Sequence, residues 1–179
     1  MSDITLGIIG GGQLGSLLAI AAKKLSVKTI IFSDDADAPA QNFCNQFISG
    51  SYDDKQKVAD FINQANVVTY EFENIPFETL NEINKLKPVL PKPSVNRLIQ
   101  HRLAEKDFIN KLNIRTTRYV SIEKKSDIDA LRDFLPGILK TTTLGYDGKG
   151  QHLINSTEDL NSINIDFSSG YILEKLVKL

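Results

Sequence analysis

The sequence predicts an α/β fold: a parallel sheet with helices on both faces, followed by a smaller α+β unit that stops before it is complete. Three observations carry this. Short apolar runs alternate with helix-period segments over about the first 90 residues, the order of strand–helix–strand units. The runs are continuous rather than alternating, as strands buried on both faces require. A glycine turn, Gly10-Gly11-Gly12-Gln13-Leu14-Gly15, joins the first run to the first helical segment and gives the sheet a Rossmann-like start.

Residues 5–9 (TLGII) form the first strand. Residues 13–25 follow as a helix, with Leu14, Leu17, Leu18, Ala21, Ala22 and Leu25 at helical spacing and expected to face the sheet. Residues 28–32 (KTIIF) are the second strand, ending in Ser33-Asp34-Asp35-Ala36-Asp37, and residues 46–49 a third. A helix at 53–64 turns Val58, Phe61 and Ile62 inward. A fourth strand at 67–70 (VVTY) leads into Glu71-Phe72-Glu73-Asn74, and a helix at 77–86 carries Phe77, Leu80 and Ile83 on its inner face. Ligands of open parallel sheets bind beyond the strand C-termini. Residues 10–15, 33–37 and 71–74 are therefore expected along one rim.

Pro88, Pro91 and Pro93 interrupt the pattern and set an expected boundary between domains 1–92 and 93–179. Ser94 is placed to cap one helix running to about residue 112, with Val95, Leu98, Ile99, Leu103 and Leu112 on its stripe. Then come a strand at 117–121, a helix at 127–134 capped by Ser126, a strand at 137–141 and a loop at 142–150. A strand at 151–154, a helix from about residue 158 and a strand at 171–175 complete the pattern. Ser126 and Ser156 each stand three residues ahead of an aspartate, as in capping boxes. The amphipathic run at 172–177 is followed by no further element, so the second unit is expected to be unfinished.

Composition narrows the function. Of 179 residues, 41% are apolar and 24% charged, a globular rather than disordered balance. Twenty-one basic against 22 acidic residues give a net charge of -1, which argues against a surface built for nucleic acid. No apolar run approaches the roughly 18 residues of a membrane span, and Asp3 stands where a signal peptide carries bases. No membrane partner and a cytoplasmic location are the expectations. The one cysteine, Cys44, excludes an internal disulfide and is expected to be a small buried side chain. His101 and His152, the two histidines, are expected to be structural.

Residues 10–15 match G-x-G-x-x-G, whose glycines permit close backbone approach and whose following helix N-terminus favours an anion. Asp34, about 20 residues on, fits the ribose acid of a dinucleotide site. A dinucleotide, another phosphorylated ligand and a plain packing turn all remain open, and an NAD-binding Rossmann module of a dehydrogenase is the alternative this motif supports. Glu71 and Glu73 share one side if the chain there is extended; they could hold a cationic or hydroxyl-bearing substrate or form a solvated acidic turn. Gly145-Tyr146-Asp147-Gly148-Lys149-Gly150 holds more glycines than a hairpin needs. With Lys149 inside it and Lys140 on the preceding strand, it suits a flap closing its amides over phosphate oxygens. A simple hairpin is the competing reading. Glu174 reads as a site carboxylate or as a surface ion pair with Lys175 or Lys178, and Arg97 as a site cation or a solvated helix residue.

Taken in order, GGGQLG at 10–15, DADAPA at 35–40, YEFEN at 70–74, RLIQ at 97–100 and GYDGKGQ at 145–151 resemble the N5-carboxyaminoimidazole ribonucleotide synthases. These are ATP-grasp enzymes of purine biosynthesis, and the resemblance runs along essentially the whole chain. It implies a pre-ATP-grasp domain followed by an incomplete ATP-grasp subdomain. It also implies an ATP-dependent ligase that makes carboxyphosphate from ATP and bicarbonate, then carboxylates the exocyclic amine of aminoimidazole ribonucleotide. Carried over residue by residue, Arg97 and Lys140 would contact ATP. Gly145, Tyr146, Asp147, Gly148, Lys149, Gly150 and Gln151 would form the flap, and Glu174, Lys175, Leu176 and Val177 the hinge strand at adenine and ribose. Gly12, Gln13, Leu14, Glu73, Tyr146 and Asp147 would face the imidazole nucleotide.

The resemblance further implies Mg²⁺ on the transferring phosphate, its acidic ligands in a C-terminal half absent here, and a homodimer at full length. No catalytic residue is expected within this half, so the isolated chain is expected not to turn over; a non-catalytic binding or dimerising fragment is the third reading. Three positions depart from the family pattern. Ser16 stands where Arg is common, and Thr142 and Leu144 where Arg and Gly are usual, changes expected to stiffen the flap and remove a phosphate-directed charge.

Overall fold

The structure, a computed structural model, describes residues 4–145, 150–163, 166 and 170–177. The chain divides into two compact units, residues 1–97 and 98–179.

In the first unit, β1 (Thr5–Ile9), β2 (Lys28–Ser33), β3 (Gln46–Ser49) and β4 (Val67–Tyr70) form a parallel sheet in the order β3-β2-β1-β4. Successive strand residues serve opposite faces, and both faces are buried, which is why the strands read as unbroken apolar runs. Ile9, Ile30, Phe32 and Val68 pack with Phe61, Ile62, Leu80 and Ile83 from α2 (Lys55–Gln64) and α3 (Phe77–Leu86). Ile8 and Ile31 face the other way, against Ala19 of α1 (Gln13–Lys24) and Ala40 of the 3-10 turn Pro39–Asn42. Each wholly buried Ile or Phe contributes about 1.5–3 kcal/mol by leaving water. Asp54 caps α2 by accepting the N–H groups of Gln56 and Lys57 at 3.0 and 3.1 Å, so that helix starts at Lys55 rather than 53.

The inner face of α1 is not the one its leucines mark. Gly15, Ser16, Ala19 and Ala22 are buried, whereas Leu14, Leu17 and Leu25 are 57%, 54% and 76% exposed. The helix lies too close to the sheet for larger side chains: a Cβ on Gly15 would come 2.7 Å from the Gly10 carbonyl oxygen. A helix with two apolar faces packs the small one where the backbone approach is close.

The single helix expected from 94 to 112 is two, α4 (Pro93–Ile99) and α5 (Arg102–Lys111). His101 adopts extended angles (φ -119°, ψ 103°) and accepts the Ala104 N–H on Nδ1 at 3.4 Å, capping α5. The stripe fails with it. Within α4 the buried residues are Pro93 and Asn96, while Val95 is 43% exposed.

The second unit holds an antiparallel sheet of β5 (Tyr119–Ile122), β6 (Gly137–Thr141), β7 (Gln151–Ile154) and β8 (Tyr171–Lys175), ordered β5-β8-β6-β7. Ile122, Leu139, Ile154 and Leu173 from one face pack with Leu131. The helix expected at 127–134 is a 3-10 winding, Lys125–Phe134, with its N-cap at Lys124 rather than Ser126; Asp127 accepts the N–H groups of Glu123 and Lys124. Ser156 and Asp159 form the expected reciprocal capping box of α6 (Thr157–Ser162).

Candidate functional site

In the first unit the three polar segments do converge. Gly10, Gly11, Gly12, Ser33, Asp34, Tyr52 and Glu71 line a cavity of about 190 Å³ beyond the strand ends, where the reversal of strand order around β1 opens a crevice. Its anion position is already taken. The Glu71 carboxylate accepts the Gly12 N–H at 2.9 Å, and a Cβ on Gly10 (φ +104°) would sit 2.7 Å from the same oxygen. A carboxylate lodged on the amides ahead of α1 repels a pyrophosphate. Asp34 lies beside the Tyr52 hydroxyl, whose pKa is pushed up to about 12, first by burial and then by the Asp34 charge. Both features speak against the NAD reading.

The other expected residues of this unit lie as follows. Gln13 and Leu14 are exposed in the first turn of α1. Ser16 is buried and returns its hydroxyl to the Gly12 carbonyl at 3.0 Å. Glu73 is exposed, and its backbone carbonyl accepts Asn96 Nδ2 at 2.8 Å. Arg97 places its guanidinium 4.7 Å from the centroid of the Phe77 ring, a stacked cation–π contact.

In the second unit, register sorts the side chains. Tyr119 and Ile138 stand opposite Glu174, Lys140 opposite Ile172, and Gln151 opposite Lys140. Directly opposed residues share a face, so Tyr119, Lys140, Gln151 and Glu174 occupy the side away from Leu139 and Leu173. There the Glu174 carboxylate meets Lys140 Nζ at 2.7 Å and Lys106 Nζ, from α5, at 3.1 Å. The three side chains are 9%, 18% and 13% exposed, in that order. Burial alone would raise the Glu174 pKa, but hydrogen bonds from Lys140 and Lys106, and then their charges, outweigh it and hold the carboxyl below the usual range. Lys106 also lies 5.3 Å from the centroid of the Tyr119 ring, whose hydroxyl donates to Asp107 at 2.6 Å. Two cations share one anion, so the cluster keeps a net positive charge in a poorly hydrated place. That is a seat for an anion.

Lys175 points elsewhere: it lies on the opposite face and donates to the Asp133 carbonyl at 2.8 Å, so it does not pair with Glu174, and Lys178, the other partner weighed from the sequence, lies outside the described residues. Leu176 continues past the strand, donating its N–H to the Pro136 carbonyl at 3.0 Å, and Val177 is 59% exposed. At the glycine loop, Gly150 (φ +69°) has no room for a side chain, since a Cβ would meet Thr141 Oγ1 at 2.7 Å. Tyr146, Asp147, Gly148 and Lys149 lie outside the described residues. Arg102 grips the start of the loop: its N–H donates to the Thr142 carbonyl at 2.8 Å, and its guanidinium to those of Thr141 at 2.6 Å and Gly145 at 3.2 Å. Sequence reasoning missed Lys106 and Arg102. No spacing marks them, because the carbonyls that the Arg102 guanidinium holds lie 39 and 43 positions on and the carboxylate that Lys106 meets is on the last strand.

The chain matches the family model described as the ribonucleotide synthetase preATP-grasp domain over residues 3–100, and an ATP-grasp domain model over residues 107–179. It is 38% identical over 162 residues to the N5-carboxyaminoimidazole ribonucleotide synthase of Brucella melitensis, covering 89% of this chain and 45% of that protein. The enzyme of the same name from Staphylococcus epidermidis is 38% identical over 159 residues, covering 88% and 42%. The crystal structure of N5-carboxyaminoimidazole synthetase from Staphylococcus aureus complexed with ADP matches with a TM-score of 0.89 at 34% identity, covering 98% of this chain and 48% of that one. The chain thus spans less than half the length of these relatives.

Proposed function

Because the chain belongs to the ribonucleotide synthetase pre-ATP-grasp family, we propose that it is the N-terminal half of an N5-carboxyaminoimidazole ribonucleotide synthase. That enzyme would be an ATP- and bicarbonate-dependent ligase acting on aminoimidazole ribonucleotide through carboxyphosphate, in purine biosynthesis. Residues 93–179 would serve ATP, and residues 1–92 together with Tyr146 and Asp147 the imidazole nucleotide. The observation that carries this reading is the Lys106–Glu174–Lys140 cluster on the face of the antiparallel sheet opposite Leu139 and Leu173.

An ammonium group has three N–H donors. With one spent on Glu174, each lysine keeps two to turn toward phosphate oxygens. Glu174 holds both ammonium groups in place beforehand, so little reorganisation is needed as charge moves to the leaving phosphate. Tyr146, Asp147 and Lys149 would join Gly145 to Gln151 in the flap, with Leu176 and Val177 at the nucleoside. Arg97, its guanidinium face stacked on Phe77 with its N–H edge left for phosphate, would contact ATP as well, and Arg102 would hold the start of the flap. Gly12, Gln13, Leu14, Glu73, Tyr146 and Asp147 would receive the imidazole nucleotide.

Magnesium enters this proposal as the counter-ion of the triphosphate. Among the described residues there is no group of three or more His, Cys, Asp or Glu side chains that could hold a metal ion, and no step here runs through one. Homodimerisation of the whole protein and a cytoplasmic location belong to the same proposal. Among the described residues no helix is long and apolar enough to cross a membrane.

Calorimetry tests the reading. This chain should bind ADP, and Lys140→Ala and Lys106→Ala should each weaken that binding about tenfold or more. Stabilisation by NAD with none by ADP would overturn it. Supplied with ATP, bicarbonate and aminoimidazole ribonucleotide, the chain alone should release no carboxylated product; steady turnover would refute that part.

A further inference from the structure

An amide buried in an apolar interior is costly unless both its donor and its acceptor are used. Asn96 breaks that rule. It is 0% exposed within α4. Its Nδ2 donates to the Glu73 carbonyl at 2.8 Å, but its Oδ1 has no hydrogen-bond partner. The buried Tyr70 hydroxyl, at the end of β4 just before the acidic loop, lies against the Asn96 backbone. An aliphatic side chain at 96 would fill the space without an orphaned acceptor. What only an amide supplies is the grip on the Glu73 backbone.

The same loop is tied again two residues earlier. Glu71 donates its N–H to the Ile9 carbonyl at 3.0 Å and accepts the Gly12 N–H on its carboxylate. With residue 71 fixed to the glycine turn and residue 73 fixed to α4, the exposed Glu73 side chain leaves the backbone from a defined point.

We propose that Asn96 is a positioning residue for Glu73: it fixes the loop backbone so that the Glu73 carboxylate is offered to the imidazole ribonucleotide in one direction. This rests on the reading above, in which Glu73 receives that nucleotide. Asn96 touches no ligand itself and acts through the carbonyl it holds.

The test compares the 179-residue chain with its Asn96→Asp and Asn96→Ala variants. Thr79→Ala serves as a control, because Thr79 is also buried and donates to a backbone carbonyl, that of Tyr52, at 2.9 Å. Both Asn96 variants should weaken aminoimidazole ribonucleotide binding about tenfold while leaving ADP binding unchanged, and should speed amide exchange at residues 72–75. Thr79→Ala should lower the melting temperature without moving either affinity. The proposal is overturned if the Asn96 variants bind aminoimidazole ribonucleotide like the parent, or lose both ligands in parallel. If the parent chain takes up ADP but no aminoimidazole ribonucleotide, the assignment of Glu73 fails instead. Exchange then decides for Asn96 alone: faster exchange confined to 72–75 supports the grip, and unchanged exchange overturns it.

Discussion

Removing the Glu174 carboxylate would leave Lys106 and Lys140 facing each other where neither is well hydrated. Glu174→Gln should therefore cost about 3 kcal/mol, near the low end for a broken buried pair because the lysines keep some water; a denaturant midpoint measures it. The pH dependence follows from the direction of the shift. A carboxyl whose folded pKa is depressed adds stability that is complete above the unfolded value, roughly 4.3, and is lost as pH falls through the folded value beneath it. On acidification through that window, the melting temperature should fall more steeply for the parent than for Glu174→Gln. Leu144 offers a gain instead. At φ +58° and 72% exposed, it occupies backbone space that glycine takes without penalty. Relief of that strain, less the added freedom of the unfolded chain, should make Leu144→Gly more stable by about 0.5–1 kcal/mol. Lys140 was a candidate because it sits on the strand leading into the glycine-rich loop, whereas Glu174 stood out only through the family resemblance. Lys106 and Arg102 were not legible, since a cation on a helix acquires meaning only when folding delivers its partner.

The strands were readable one by one, since an unbroken run such as KTIIF leaves little choice but burial on both sides. Helices were harder. In α1 the spacing of Leu14, Leu17, Leu18 and Leu25 outweighs that of Gly15, Ser16, Ala19 and Ala22 on any hydrophobicity scale, yet the small residues win because the backbone comes close. Two substitutions check this by chemical denaturation. Leu17→Gln should leave stability within about 0.5 kcal/mol, as expected for an exposed site. Ala19→Leu should cost about 1–3 kcal/mol through overpacking. The break between α4 and α5 was invisible for a different reason. Neither Gln100 nor His101 is a breaker residue, and what ends the helix is the use of the His101 imidazole as the cap of α5. The expected rim of the parallel sheet did form, because topology alone brings residues 10–15, 33–37 and 71–74 to the strand ends.

For the molecule as a whole, ligand linkage gives the broadest check. ADP at a hundred times its dissociation constant should stabilise the folded chain by about 2.7 kcal/mol, with slowed amide exchange confined to residues 98–179; protection centred instead on the glycine turn at 10–15 would contradict the assignment. The alternation along β8 adds a constraint on how this protein can vary. Adjacent residues serve different faces there, with Leu173 in the hydrophobic interior and Glu174 among the lysines. Lengthening the strand by one residue ahead of Leu173 would exchange those places, sending a carboxylate into the oil and a leucine among the lysines. Lengthening it by two would return each to its place. Divergence at this strand can therefore proceed only in steps of two, a parity rule that reading related chains side by side would expose at once.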